Sequence, residues 1–129
     1  MNVLIVESQQ ELGALWKAHL ERSGMVVTQV DGQTQAIEYL TDFTPEIIIL
    51  DLVLEDGNAL SISDFASYKC PQVPVVFVTD TSFFSDGSIF SFAQNACAFL
   101  QSKTAPEDLT AMVQHYGRTT DFTPDREAS

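Results

Sequence analysis

Residues 45–60 read "PEIIILDLVLEDGNAL". From Ile47 to Leu50 four apolar residues follow one another with no polar residue between them. A strand with one wet face alternates apolar and polar side chains, whereas a strand covered by helices on both faces reads as a continuous apolar run. Ile47–Leu50 is thus expected to be a central strand, and Asp51 is the first charged side chain to leave it.

Working outward, "VPVVFVT" (73–79) is a second nearly continuous run, and "NVLIV" (2–6), "MVVTQV" (25–30) and "CAFL" (97–100) are shorter ones. Between them apolar residues recur at helical spacing. Leu12, Leu15, Trp16, His19 and Leu20 form one stripe, Ala36, Ile37 and Leu40 a second, and Leu109, Met112, Val113 and Tyr116 a third. Alternating strands and helices of this kind predict an α/β domain built on a parallel sheet. Helix ends are marked too: Ser8 and Glu11 make an S-x-x-E capping box, and Thr104 and Glu107 a T-x-x-E box with Pro106 in the first turn. Gly24 and Gly117 stand where helices should stop. The domain is expected to run from 1 to 117, with 118–129 ("RTTDFTPDREAS" from Arg118) as a short mobile tail lacking apolar periodicity.

Composition narrows the function. Eighteen acids against six bases give a formal net charge of −12, which repels nucleic-acid backbones and anionic lipid surfaces. Neither nucleic acid nor membrane is an expected partner. No apolar run approaches the roughly 18 residues of a membrane span, and "MNVLIVESQQ" lacks the basic start of a signal peptide, so the expected compartment is the cytoplasm. Cys70 and Cys97 have no metal-ligand spacing and read as free thiols.

In an open parallel α/β sheet, ligands bind beyond the carboxyl ends of the strands. The residues leaving those ends are Glu7 and Ser8, Asp51, Thr79 and Asp80, and Ser102 and Lys103. Carboxylates, hydroxyls and one ammonium on a single edge suit an anionic group bridged by a hard divalent cation such as Mg²⁺. A carboxylate there can also attack phosphorus and form an aspartyl phosphate.

With these residues in view, the chain from Met1 to about Gly117 resembles the receiver domain of two-component response regulators. The resemblance rests on "PEIIILDLVLEDGNAL", on "VPVVFVT", and on the ending in Phe99–Leu100 and "PEDL" (106–109). It implies a doubly wound, flavodoxin-like fold with a five-stranded parallel sheet in the order 2-1-3-4-5. Asp51 then matches the phosphoacceptor, and Glu7, Asp51 and the Val53 carbonyl the metal ligands. Thr79 matches the switch hydroxyl, Phe99 the switch aromatic, and Asp56 and Gly57 the turn into the third helix. The implied partners are a sensor histidine kinase or phosphotransfer protein and a downstream protein; a homodimer is compatible with the family, and catalytic turnover is not implied.

Four positions depart from the family pattern. Receivers present two adjacent acids after strand one, and here the second is Ser8, read as a helix N-cap that meets a metal only through water. A gapless match puts Ser102 at the site lysine and Lys103 at the proline that follows it. Strand periodicity of two then turns Lys103 away from the site, unless a remodelled loop returns it. Asp80 stands where receivers favour a small residue, and it either crowds and repels phosphate, replaces the acid lost at Ser8, or serves as an ordinary loop acid. Phe83, Phe84 and Phe90 form either a partner surface or part of the core. Two readings share the fold, a receiver phosphorylated on Asp51 and a pseudo-receiver that binds its partner without phosphorylation; a small phosphohydrolase using Asp51 as nucleophile is the third.

Overall fold

The structure, a computed structural model, describes residues 1–52, 54, 55, 57–79, 96–101 and 104–116, with the backbone alone for Thr79 and for 96–101. Its strands are β1 (Asn2–Val6), β2 (Val26–Val30), β3 (Ile47–Asp51), β4 (Val75–Thr79) and β5 (Ala96–Gln101). They pair in parallel in the order β2-β1-β3-β4-β5, the topology that the resemblance to receiver domains implies. Helices α1 (Gln10–Arg22), α2 (Gln33–Asp42) and α3 (Ala59–Lys69) follow the first three strands, and a further helix spans 106–116.

The period of two along each central strand sorts the core into two layers. Val3, Ile5, Ile47, Ile49, Val76 and Val78 pack on one face with Trp16 and Leu20 of α1 and with Leu109 and Val113 of the last helix. Leu4, Val6, Ile48, Leu50, Val75 and Phe77 point the other way, against Ala36 and Leu40 of α2 and Ala59, Ile62 and Ala66 of α3. Each side chain of Ile47–Leu50 is fully buried, which is why that run shows no alternation. Burying such a side chain contributes about 1.5–3 kcal/mol. Cys70 is a buried free thiol whose pKa burial raises; the side chain of Cys97 lies outside the described set.

Several local expectations change. Leu15 falls off the α1 stripe and is 46% exposed, because the buried line is Gly13, Trp16 and Leu20. The N-cap of α1 is Gln9, which makes no side-chain cap, so Ser8 is not the capping residue. The last helix begins at Pro106, with the Ala105 carbonyl accepting from both Asp108 and Leu109, one residue later than a Thr104 cap requires. Pro106 thus occupies the first helical position, where its missing N–H costs nothing. Gly24 does close α1: at φ +90° it lets Gly24 N–H reach the Glu21 carbonyl and Met25 N–H the Leu20 carbonyl. The expected stop at Gly117, the tail 118–129 and the aromatic residues Phe83, Phe84 and Phe90 lie outside the described residues.

Candidate functional site

The chain leaves β1 toward β2 on one side and reaches β3 on the other, so the carboxyl ends of β1 and β3 flank the point where the winding reverses. Ligand crevices form at such points. Glu7 is the residue after β1, its N–H bonded to the Val30 carbonyl at 3.0 Å, and Asp51 closes β3 in register with Val78 of β4. Both are buried, Glu7 at 0% exposure and Asp51 at 6%.

Two acids side by side in a dry site cannot both ionise cheaply. Burial is the main cause pushing the Glu7 carboxyl up to about 8, with the adjacent Asp51 carboxyl raising it further. One Glu7 oxygen, Oε2, accepts the Gln9 N–H at 3.0 Å, which favours the charged form but does not outweigh the burial. The other, Oε1, is buried with no hydrogen-bond donor among the described residues. Such an acceptor can be satisfied by a proton, which turns the oxygen into a donor toward Asp51, by a cation, or by an O–H or N–H donor.

The residues present fit a hard divalent ion in kind, since Glu7 and Asp51 offer carboxylate oxygens at one point. They supply few of them. Among the described residues no third His, Cys, Asp or Glu joins the pair in a group that could hold a metal ion. Val53, Asp56, Asp80, Ser102 and Lys103 lie outside the described residues, as do the side chains of Thr79 and Phe99. The backbone does place Thr79 at the carboxyl end of β4, paired with Gln101 of β5, so that 102 and 103 follow directly.

Ser8 has a different task from the one its spacing suggested. Its hydroxyl donates to the Asp31 carbonyl after β2 and accepts the Glu55 N–H from the loop after β3, each at 3.0 Å. Gln33 makes a parallel contact, its Oε1 accepting the Asn58 N–H at 2.7 Å. Gly57, at φ +85°, is required twice: an L side chain disfavours that backbone, and a Cβ would collide with the Gln33 side chain. Asn58 then caps α3 by accepting the Leu60 N–H at 2.8 Å. The roles of Gln33 and Asn58 escaped the sequence reading, although Asn directly before an apolar helical stretch is a recognised cap signal.

A doubly wound 2-1-3-4-5 sheet with two buried acids at its winding reversal defines an α/β domain of the open, parallel-sheet class. The response regulator receiver domain model matches residues 3–114, and the chain belongs to that family. It is thus a receiver domain of two-component signalling. It is similar to the luminescence regulatory protein LuxO of Vibrio campbellii, at 31% identity over 75 residues covering 58% of this chain and 17% of that protein. The KDP operon transcriptional regulatory protein KdpE of Escherichia coli is 34% identical over 86 residues, 66% of this chain and 37% of that protein. The chain therefore spans well under half the length of either relative. Among solved structures, the receiver domain of a LuxO repressor protein from Vibrio parahaemolyticus superposes with a TM-score of 0.85 at 22% identity, covering 98% of this chain and 96% of that one. A CheY-like receiver domain from Methanospirillum hungatei gives 0.84 at 19% identity, covering 93% and 95%. Among the described residues no helix is long and apolar enough to cross a membrane.

Proposed function

We propose that the domain, residues 1–117 with 118–129 as a tail, receives a phosphoryl group on Asp51 and signals by protein contact. The observation carrying this reading is the buried Glu7–Asp51 pair at the winding reversal, with one carboxylate oxygen that meets no donor among the described residues. In this reading an Asp51 oxygen bonds to phosphorus as the bond from phosphorus to the donor breaks, the electron pair leaving with the donor. Glu7, Asp51 and the Val53 carbonyl would hold Mg²⁺, which supplies charge neutralisation between carboxylates and phosphoryl oxygens. Thr79 and Phe99 are assigned the switch roles, and Lys103 serves as the site cation only if a remodelled loop returns it to the site. A sensor histidine kinase or phosphotransfer protein supplies the phosphoryl group, and a downstream protein reads the result.

A pseudo-receiver that binds its partner without phosphorylation is the second reading. It is favoured by Ser8, which stands in place of the usual second acid and spends its proton and one lone pair on backbone groups. Phosphoryl transfer onto a carboxylate is catalysed mainly by electrostatics, and loss of one preorganised contact typically lowers such rates about a hundredfold or more. Incubation with a small-molecule phosphodonor and Mg²⁺, followed by intact mass, separates the two. A gain of one phosphoryl group that vanishes in Asp51→Asn supports the first reading. No gain in wild type, restored by Ser102→Lys with Lys103→Pro, supports the second.

A further inference from the structure

Between β3 and α3, Leu52 follows Asp51 in the chain, and Leu52, Leu54, Glu55 and Asn58 are each tied to another part of the domain. Leu52 N–H bonds to the Val78 carbonyl at 2.9 Å, and Leu52 and Leu54 pack on the α2–α3 side of the core. Beyond Leu54 the apolar hold ends, since Glu55, Gly57 and Asn58 are exposed. Among the described residues of that stretch, side chains from elsewhere hold the backbone: the Ser8 hydroxyl accepts the Glu55 N–H and the Gln33 amide oxygen the Asn58 N–H. Ser8 adjoins Glu7 in the chain, and its proton is fixed on the Asp31 carbonyl, so one hydroxyl joins the ends of β1, β2 and the β3–α3 loop. Gln33 opens α2 next to that same β2 end and fills the space that Gly57 leaves by lacking a Cβ.

We propose that Ser8 and Gln33 form a latch that fixes the β3–α3 loop beside Asp51 without any cation, and that Ser8 is a positioning residue for this loop rather than a weakened metal ligand. A hydroxyl suits the task where a carboxylate does not. It serves one carbonyl and one N–H at once, whereas an ionised acid only accepts and would leave the Asp31 carbonyl facing negative charge. The latch stands on hydrogen-bond geometry and holds whether or not Asp51 accepts a phosphoryl group.

The test is amide hydrogen exchange read by NMR on the metal-free protein at pH 7, comparing wild type with Ser8→Ala, Ser8→Thr and Gln33→Ala. Removing one such hydrogen bond should open the loop locally about tenfold more often. Wild type should protect both the Glu55 and Asn58 amides. Ser8→Ala should speed Glu55 exchange about tenfold while the Ile49 amide in the core strand is unchanged. Ser8→Thr, which keeps the hydroxyl, should restore protection, and Gln33→Ala should release Asn58 in the same way. Three results overturn the latch: Glu55 unprotected in wild type until Mg²⁺ is added, Glu55 exchange indifferent to Ser8→Ala, or Ile49 accelerating in step with Glu55. No phosphodonor enters this experiment, so its failure and a failure of Asp51 phosphorylation are separate outcomes.

Discussion

Glu7 and Ser8 are neighbours in the chain and opposites in physical state. Glu7 is fully buried, keeps one oxygen without a donor among the described residues, and has its pKa pushed up to about 8 mainly by desolvation. Ser8 is half-buried with its hydroxyl engaged as donor and as acceptor. One residue stores an unmet electrostatic demand; the next ties down backbone. The contrast teaches that a polar residue at a strand end is not thereby part of the chemistry. What separates the two roles is whether the fold completes its hydrogen bonds or leaves them open for a ligand.

The comparison breaks first on pH. Below about 4.5 Glu7 is protonated in the folded and unfolded chain alike; between 4.5 and 8 the unfolded chain releases a proton that the fold retains, so stability falls across this window and levels off above 8. Without metal, urea melts should show Glu7→Gln gaining on wild type from pH 5 to pH 8 by on the order of a few kcal/mol. A constant difference between the two proteins over that range would mean that Glu7 titrates normally.

Gly57→Ala acts on the latch side. It forces an L residue to φ +85° and drives its Cβ into Gln33, and should cost about 2 kcal/mol in the same melts. A change under a few tenths of a kcal/mol would show that Gln33 and the turn relax freely.

Asp51→Asn returns to the acid pair. Neutralising Asp51 removes its part of the upward push on Glu7, and the new amide can donate to the Glu7 carboxylate as that group ionises, so metal-free stability at pH 7 should rise by on the order of 1–2 kcal/mol. Loss of stability there would deny that the pair is repulsive. The smallest effect is Asn58→Ala, which removes the α3 cap at a cost of about 1 kcal/mol and should leave the pH profile unchanged.

The sheet was legible in the sequence to within a residue or two at the strand ends. "NVLIV" is β1 as read, and "EIIILDL" and "VPVVFVT" contain β3 and β4. Strand burial follows from side-chain type and period, which are local properties of the chain, and the winding order followed from the family pattern. Glu7 and Asp51 were identifiable for a related reason, since a charged residue ending a buried strand in this topology can only emerge at the ligand edge.

What tertiary structure decided was the pairing of polar groups. The S-x-x-E box at Ser8 and Glu11 is a valid local signal for a cap, yet α1 begins one residue later and Ser8 turns to Asp31 and Glu55. The competing partners lie 23 and 47 residues away, beyond any window of local spacing. Gln33 shows the same thing, being an ordinary helix-start residue until Gly57 makes room for it. Apolar burial is non-directional and reads from composition along a strand, whereas a hydrogen bond needs a particular atom at about 3 Å and a fixed angle, which only the assembled chain provides.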